Sequence, residues 1–295
     1  MPPTPPTTRA PSPGTLFVVA TPIGNLEDIT LRALRVLREV SVIAAEDTRR
    51  TSRLLGHYGI TTRTMSLHEH NEHDRTPGVV QRLLAGESIA IVTDAGTPLL
   101  SDPGRLVAAE AAARGVRVEP IPGASAVLAA LAGSGMPWTQ FAFLGFSPTK
   151  QHARRRFYED AGRLALPFLV FEAPHRLIAS LEDAAAVLGP RSLVVCRELT
   201  KMHEEFVRTS TTAAPDIFRA SKVIGEYTLL FGPPGDVEPV SDPLGDDVIW
   251  AEIGRLTEEG KSRREAVAEL AGREGRSSKD IYAAAERGKR LATSE

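Results

Sequence analysis

From Thr15 onward, short apolar runs alternate with stretches whose apolar residues recur at helical spacing. A chain of this pattern buries each run as a strand and covers the sheet with the helices between. That confines it to the α/β class with a largely parallel sheet. In the first half the strand candidates are 16–20, 42–45, 89–93 and 116–121. Between them, Leu31, Leu34 and Val40 behind a capping Asp28, and then Val79, Val80, Leu83 and Leu84, carry the helical period. The runs 141–145, 168–172, 193–198, 204–208 and 227–231 form a second set. Two of these lie close together around Lys201, which predicts a hairpin and a mixed sheet.

Breaks in the pattern divide the chain. Residues 1–14, rich in Pro and Thr with one charge at Arg9, read as a disordered tail without the apolar run of a signal peptide. Gly133, Gly135 and Pro137 mark a linker, so 15–132 is expected to be an N-terminal α/β lobe and 139–235 a C-terminal one. A second break, from Gly232 through Pro243, precedes a purely helical piece, 245–295. Its helices are expected at 247–258, 262–273 and 277–287, with N-caps at Ser262 and Ser277 and turns at Gly260 and Gly275. The spacing suits a three-helix or helix-turn-helix unit. No run approaches the roughly 20 apolar residues of a membrane span, so a soluble, cytoplasmic protein without a membrane partner is expected. Cys196 is the sole cysteine, which excludes an intramolecular disulfide and a multi-cysteine metal site; its apolar setting reads as an inert core thiol.

Open α/β sheets bind ligands at the carboxyl ends of their strands, and the polar motifs of this chain fall there. The first loop, Thr21-Pro22-Ile23-Gly24-Asn25-Leu26, has one glycine and lacks the dinucleotide fingerprint. A ligand-free turn is an equal reading of it. Glu46, Asp47, Arg49 and Arg50 follow the second strand, able either to orient a polar substrate or to form an N-cap at Asp47 with solvated salt bridges. The third loop, from Thr93 to Gly104, is built of small and constrained residues that bring backbone donors and acceptors close to a ligand. In the fourth, Ser125 caps a helix or touches a ligand. His175 reads as a helix-start residue, and the run from His68 to His73 lacks the spacing of a zinc motif, so it is expected to be a polar, substrate-facing loop. Glu198 and Lys201 could serve as base and cation, or as cross-strand ion pairs. A net charge of -2 means that any nucleic-acid surface is local. Residues 150–156 and the segment 260–290, with nine Lys or Arg against five Asp or Glu, are the candidates.

Six motifs occur in order: Thr-Pro-Ile-Gly-Asn-Leu at 21–26, Ala-Ala-Glu-Asp-Thr-Arg at 44–49, Asp-Ala-Gly-Thr-Pro at 94–98, Pro-Gly-Ala-Ser-Ala at 122–126, Arg-Glu-Leu-Thr-Lys at 197–201 and Gly-Glu-Tyr at 225–227. Together they resemble the ribosomal RNA small subunit methyltransferase I family from about residue 15 to 231. The resemblance implies two αβα lobes of the tetrapyrrole methylase type with a small C-terminal helical appendage, and a homodimer. S-adenosylmethionine is then expected in the cleft, with methylation of a cytidine ribose 2′-oxygen of 16S ribosomal RNA in the small subunit. It places the cofactor walls at Thr21, Pro22, Asp94, Ala95, Gly96, Thr97, Pro98, Ser101, Ser125, Ala126, Phe171 and the strand around Leu230. Asp47 or Glu198 is expected to assist the hydroxyl, and Arg49 and Lys201 to place phosphate or ribose. No metal is expected, since the thioether leaves as a neutral group. The first loop departs from the glycine-rich, aspartate-ended loop of corrin-modifying relatives, and the Pro-rich start lies outside the family pattern.

Two other readings remain at this point. A tetrapyrrole methyltransferase of the same fold would take a small substrate and need no basic tail. A helix-turn-helix DNA-binding regulator would use that tail on duplex DNA, against the weak overall charge.

Overall fold

The computed structural model describes residues 12–99, 102–136, 139–235, 245–273 and 278–292. Five parallel strands form the first sheet: β1 (Thr15–Val19), β2 (Val42–Ala45), β3 (Thr64–Ser66), β4 (Ile89–Val92) and β5 (Arg117–Ile121), in the order β3-β2-β4-β1-β5. The central strands β2 and β4 are buried at every residue, as expected for apolar runs covered by helices on both faces. Edge strand β5 carries Pro120, whose missing N–H an edge tolerates. Edge strand β3 was not anticipated, because three half-buried residues carry no legible period.

The second sheet contains β6 (Ala142–Phe146), β7 (Phe168–Glu172), β8 (Ser192–Arg197), β9 (Glu205–Ser210) and β10 (Tyr227–Phe231), in the order β6-β7-β10-β8-β9. It is mixed: β6 and β7 run parallel, β10 lies antiparallel between β7 and β8, and β8 and β9 form the hairpin around Lys201. Phe168 and Phe231 stack at 4.7 Å inside this lobe, both fully buried. Burial of one such side chain contributes about 2–3 kcal/mol. Both lobes thus have helices packed on a central sheet, the αβα architecture expected.

Local chemistry accounts for where the structure departs from the sequence reading. Asp28 does not cap the first helix; it closes a 3-10 turn, Leu26–Asp28, and Thr30 caps the helix Leu31–Glu39 by accepting from the Ala33 amide. Gly14 is not part of a loose tail, since it is buried and donates to the Leu83 carbonyl at 2.8 Å. Residues 1–11 lie outside the described residues. Gly133 is not a linker residue either. It sits in the helix Ala126–Ser134 where a Cβ would come within 2.2 Å of the Phe206 ring, so it lets that helix lie close on β9. Pro137 lies outside the described residues. The same helix, next to the first lobe in sequence, packs its Val127 and Ala130 against Leu169, Val194 and Leu230 of the second sheet and so ties the lobes together.

The C-terminal helices, Asp246–Glu258, Arg263–Arg273 and Ser278–Ala292, pack on a core of their own around Ile249, Ile253, Leu270 and Ile281. Ser262 caps the second of them reciprocally with Glu265. The caps and turns expected at Ser277 and Gly275 fall outside the described residues. Among the described residues no helix is long and apolar enough to cross a membrane.

Candidate active site

The parallel strands of the first lobe all point their carboxyl ends toward the second lobe. Loops after β1, β2, β4 and β5 meet there the ends of β6 and β7 and the start of β10. Between them lies a cleft of about 430 Å³, lined on one side by Ile23, Glu46, Thr93, Asp94, Ala95, Asp102 and Ala126. The other side is formed by Phe146, Phe171, Glu172, Ala173, Tyr227 and Thr228. That volume lies within the range of small-molecule and cofactor sites.

The first and third loops are locked by a two-residue antiparallel bridge: the Thr21 amide donates to Gly96 O at 2.9 Å and the Gly96 amide to Thr21 O at 3.0 Å. Thr21, itself buried, also donates its hydroxyl to Thr93 O. Gly96 has φ +83°, a conformation glycine adopts freely, and a Cβ there would meet Ile23 at 3.3 Å. The loop therefore presents Ala95 and its own backbone to the cleft. Thr97 donates to Ala124 O, which joins the third loop to the fourth. Across the cleft, Phe171 packs its ring against Phe143 and Phe146 at 4.8 and 5.4 Å. Phe146 remains exposed, giving an aromatic face opposite the small-residue wall.

Carboxylates crowd the first-lobe side. Glu46 accepts from the Thr93 hydroxyl at 2.6 Å and the Asp94 amide at 3.2 Å. Asp94 accepts from the Asp47 amide and meets Arg50 at 3.3 Å. Burial, and then the like charge of Glu46, pushes the Asp94 carboxyl up. The same two causes, in the same order, push Asp102 up to about 6. Glu46 belongs to the polar cluster that the sequence marks as able to orient a substrate, and Asp102 to the constrained third loop; that the two carboxylates act on each other emerges only once the fold brings the loops together.

The residues expected as bases are placed differently. Asp47 caps the helix Thr48–His57 by accepting from the Arg49 amide, and its carboxylate is also bound by the Arg49 guanidinium at 2.8 Å. Those contacts hold it well below the usual carboxylate range. Glu198 pairs with Lys201 at 2.8 Å and accepts from the Glu226 amide. Burial opposes its charge, but Lys201 and that amide together hold it low. Neither carboxylate lines the cleft, and each is occupied by a cation, so both are poorly suited to take a proton there.

Glu198 and Lys201 instead build a joint between the lobes. Lys201 bridges Glu198 and Glu226, and Glu198 and Thr200 adopt φ of +51° and +65° in the turn between β8 and β9. Against this turn lies the first loop: Asn25 donates its amide to the Thr200 hydroxyl across 175 positions, and a Cβ on Gly24 would come within 2.4 Å of Lys201 Cγ. Gly225, at φ +94°, leaves the room that the Glu198 carboxyl fills. Three of the sequence motifs thus meet in space as one contact.

Other expected positions divide in the same way. Asp94, Ala95, Ala126 and Phe171 line the cleft; Pro22 lines an adjoining cavity; Ser125 caps the helix Ala126–Ser134; Gly96 and Pro98 are buried within the loop. Leu230 is fully buried beneath that helix and does not reach the cleft, which β10 meets through Tyr227 and Thr228. Ser101 lies outside the described residues. Within 150–156, Arg154 is buried and Arg155 half-exposed, both bound to Asp183 at 2.6 and 2.7 Å, so two of the four cations of the expected basic patch form a structural ion pair, and Lys150 and Arg156 remain exposed. The His68 loop is not substrate-facing as a whole, since Glu72 turns inward and accepts from the Gly104 and Leu106 amides at the start of the helix Arg105–Ala113. Among the described residues no three His, Cys, Asp or Glu side chains are placed to hold a metal ion. Cys196 is buried, and burial pushes its thiol up to about 12, which matches an inert core thiol.

Comparison with known proteins bears on what such a cleft does. The profile of the Tetrapyrrole (Corrin/Porphyrin) Methylases matches residues 15–215. A ribosomal RNA small subunit methyltransferase I of Halalkalibacterium halodurans is 40% identical over 91% of this chain and 93% of its own length. A protein of the same name from Synechocystis sp. is 42% identical over 88% of this chain and 92% of its own. Among solved structures, a uroporphyrin-III C-methyltransferase from Thermus thermophilus, complexed with S-adenosylhomocysteine, superposes with a TM-score of 0.51. It is 17% identical and covers 74% of this chain and 97% of that one, a likeness of fold.

Proposed function

Because this chain belongs to the tetrapyrrole methylases and, within them, to the ribosomal RNA small subunit methyltransferase I family, we propose that it methylates the ribose 2′-oxygen of a cytidine in 16S ribosomal RNA. It is a methyltransferase with S-adenosylmethionine as methyl donor. Acting in the cytoplasm as a homodimer on the small ribosomal subunit belongs to the same proposal. The ribosomal reading is preferred to a tetrapyrrole substrate because the relatives carrying the ribosomal name are 40 and 42% identical, against 17% for the porphyrin enzyme.

The observation that carries the reading is the cleft itself, with a small-residue backbone wall, an aromatic wall opposite and carboxylates between. This donor set fits the cofactor: carboxylates suit a sulfonium and an ammonium, an exposed ring suits a flat purine, and Ala95, Ala126 and Ala173 let the ligand approach the backbone. S-adenosylmethionine supplies a methyl group on a positively charged sulfur that leaves as a neutral thioether. The protein holds the acceptor oxygen in line and close, from which much of the rate derives. Asp102 faces the cleft with a proton affinity near neutrality and takes the hydroxyl proton, the role that Asp47 and Glu198 are placed too poorly to fill. Glu46, fixed by Thr93 and the Asp94 amide, keeps that affinity high. Lys201 acts as a positioning residue through Glu226, which lines the cleft.

Incubation with tritium-labelled S-adenosylmethionine and undermethylated small subunits should place label in 16S RNA. Label confined to a tetrapyrrole, or absent from RNA, would refute the proposal.

A further inference from the structure

A second cavity of about 210 Å³ lies beside the cleft and shares Arg50, Thr93 and Asp94 with its lining. Pro22, Leu26 and Leu54 give it an apolar floor, and Arg50 and Arg53 line its rim. Arg49, Arg50 and Arg53 stand on one helix, Thr48–His57, with Arg49 and Arg53 four residues apart and so on one face. Arg49 is tied to Asp47. Arg50 meets Asp94 at only 3.3 Å, with its own side chain 64% exposed, a contact that solvent screens and that an incoming anion can exchange at little cost. Arg53 is exposed and has no carboxylate partner among the described residues.

Several of the other basic groups that the sequence offers to RNA are held by carboxylates, while Lys150, Arg156 and Arg264 stay exposed but away from the lining of either cavity. Arg154 and Arg155 bind Asp183, and in the appendage Arg255, Lys261, Arg263 and Arg287 each pair with a carboxylate. In a chain of net charge -2, an uncompensated arginine beside the reaction cleft is a specific feature. A nucleotide within an RNA strand complements the cavity: its sugar covers the apolar floor and its phosphate reaches the guanidiniums at the rim.

Resting on the reading that RNA is methylated in the adjoining cleft, we infer that this cavity seats the sugar and phosphate next to the methylated nucleotide. The phosphate binds Arg53 and draws Arg50 from Asp94.

The test uses the full-length protein, undermethylated small subunits and saturating S-adenosylmethionine, with R53Q, R53E and, as a charge-matched control, R75Q. For R53Q, KM for subunits should rise about fivefold to tenfold, and further for R53E. The magnitude of the slope of log kcat/KM against log salt should fall by about 0.7, the loss of one phosphate contact to a single strand. The dissociation constant for S-adenosylmethionine, read by calorimetry, should stay native, and R75Q should match the native protein throughout. Unchanged KM and salt slope in both Arg53 variants, while the native protein labels RNA, would overturn this inference alone. Failure of the native protein to label RNA would overturn the functional reading and this inference with it.

Discussion

Asp102 shows how one position couples stability to chemistry. Its carboxyl is pushed up to about 6 from an ordinary value of 3.8, so folding favours the neutral form. The stability it contributes is complete below the unfolded value and is lost as pH rises through the folded one. D102N removes that loss: its Tm relative to the native protein should climb between about pH 4 and pH 6 and level off above. The same group must be ionised to accept a proton, so native kcat/KM should fall as pH drops through about 6. D102N should lack that limb and turn over about 100-fold more slowly. A flat Tm difference together with an unchanged acid limb would contradict the assignment. Gly24 provides a second residue-scale test. G24A drives a Cβ to 2.4 Å from Lys201 Cγ and 2.8 Å from Thr200 Oγ1. Urea denaturation should show a loss of about 1–3 kcal/mol, the usual cost of overpacking; native stability would mean that the lobes do not depend on this joint.

At the scale of elements, the helix Arg105–Ala113 takes its N-terminal satisfaction from a distant side chain. Its preceding residue, Gly104, has no side chain to cap it, and Glu72 supplies the acceptor from another helix. E72A leaves the buried Gly104 amide and the half-buried Leu106 amide without their acceptor and should cost about 1–3 kcal/mol. Hydrogen exchange at Gly104 and Leu106 should accelerate before exchange elsewhere in that helix; unaltered exchange there would rule the cap out. This element also marks the limit of sequence reading. Apolar runs such as those of β2, β4 and β7 declare themselves because buried strands need uninterrupted apolar side chains. The hairpin at Lys201 and the cleft loops Asp94 and Ala95 were legible from the same logic. Glu72 was not, since nothing local to His68 and His73 says that the intervening carboxylate turns inward. Nor was the approach of Glu46 to Asp102, or the meeting of Gly24 with Lys201, which exist only once the fold brings distant loops together. The strand around Leu230 does reach the cleft, but through Tyr227 and Thr228, because Leu230 itself lies under the helix Ala126–Ser134.

For the whole molecule, the C-terminal helices stand apart from the cleft. No described residue beyond 235 lines the cleft, and the C-terminal helices have their own core. Removal of 245–295 should leave S-adenosylmethionine affinity native and abolish turnover on small subunits if those helices contact RNA. Native turnover without them would remove that role, and lost donor binding would make them a support for the lobes. Above this stands the claim that the atom methylated is a ribose oxygen. A 2′-O-methyl group removes the nucleophile that alkali needs to cleave the adjoining phosphodiester. The most direct measurement is therefore alkaline hydrolysis of 16S RNA labelled by the protein, followed by mass spectrometry of the labelled product. Label should survive in an alkali-resistant dinucleotide whose 5′ member is 2′-O-methylcytidine. Label recovered in a mononucleotide, or on a base, would contradict it.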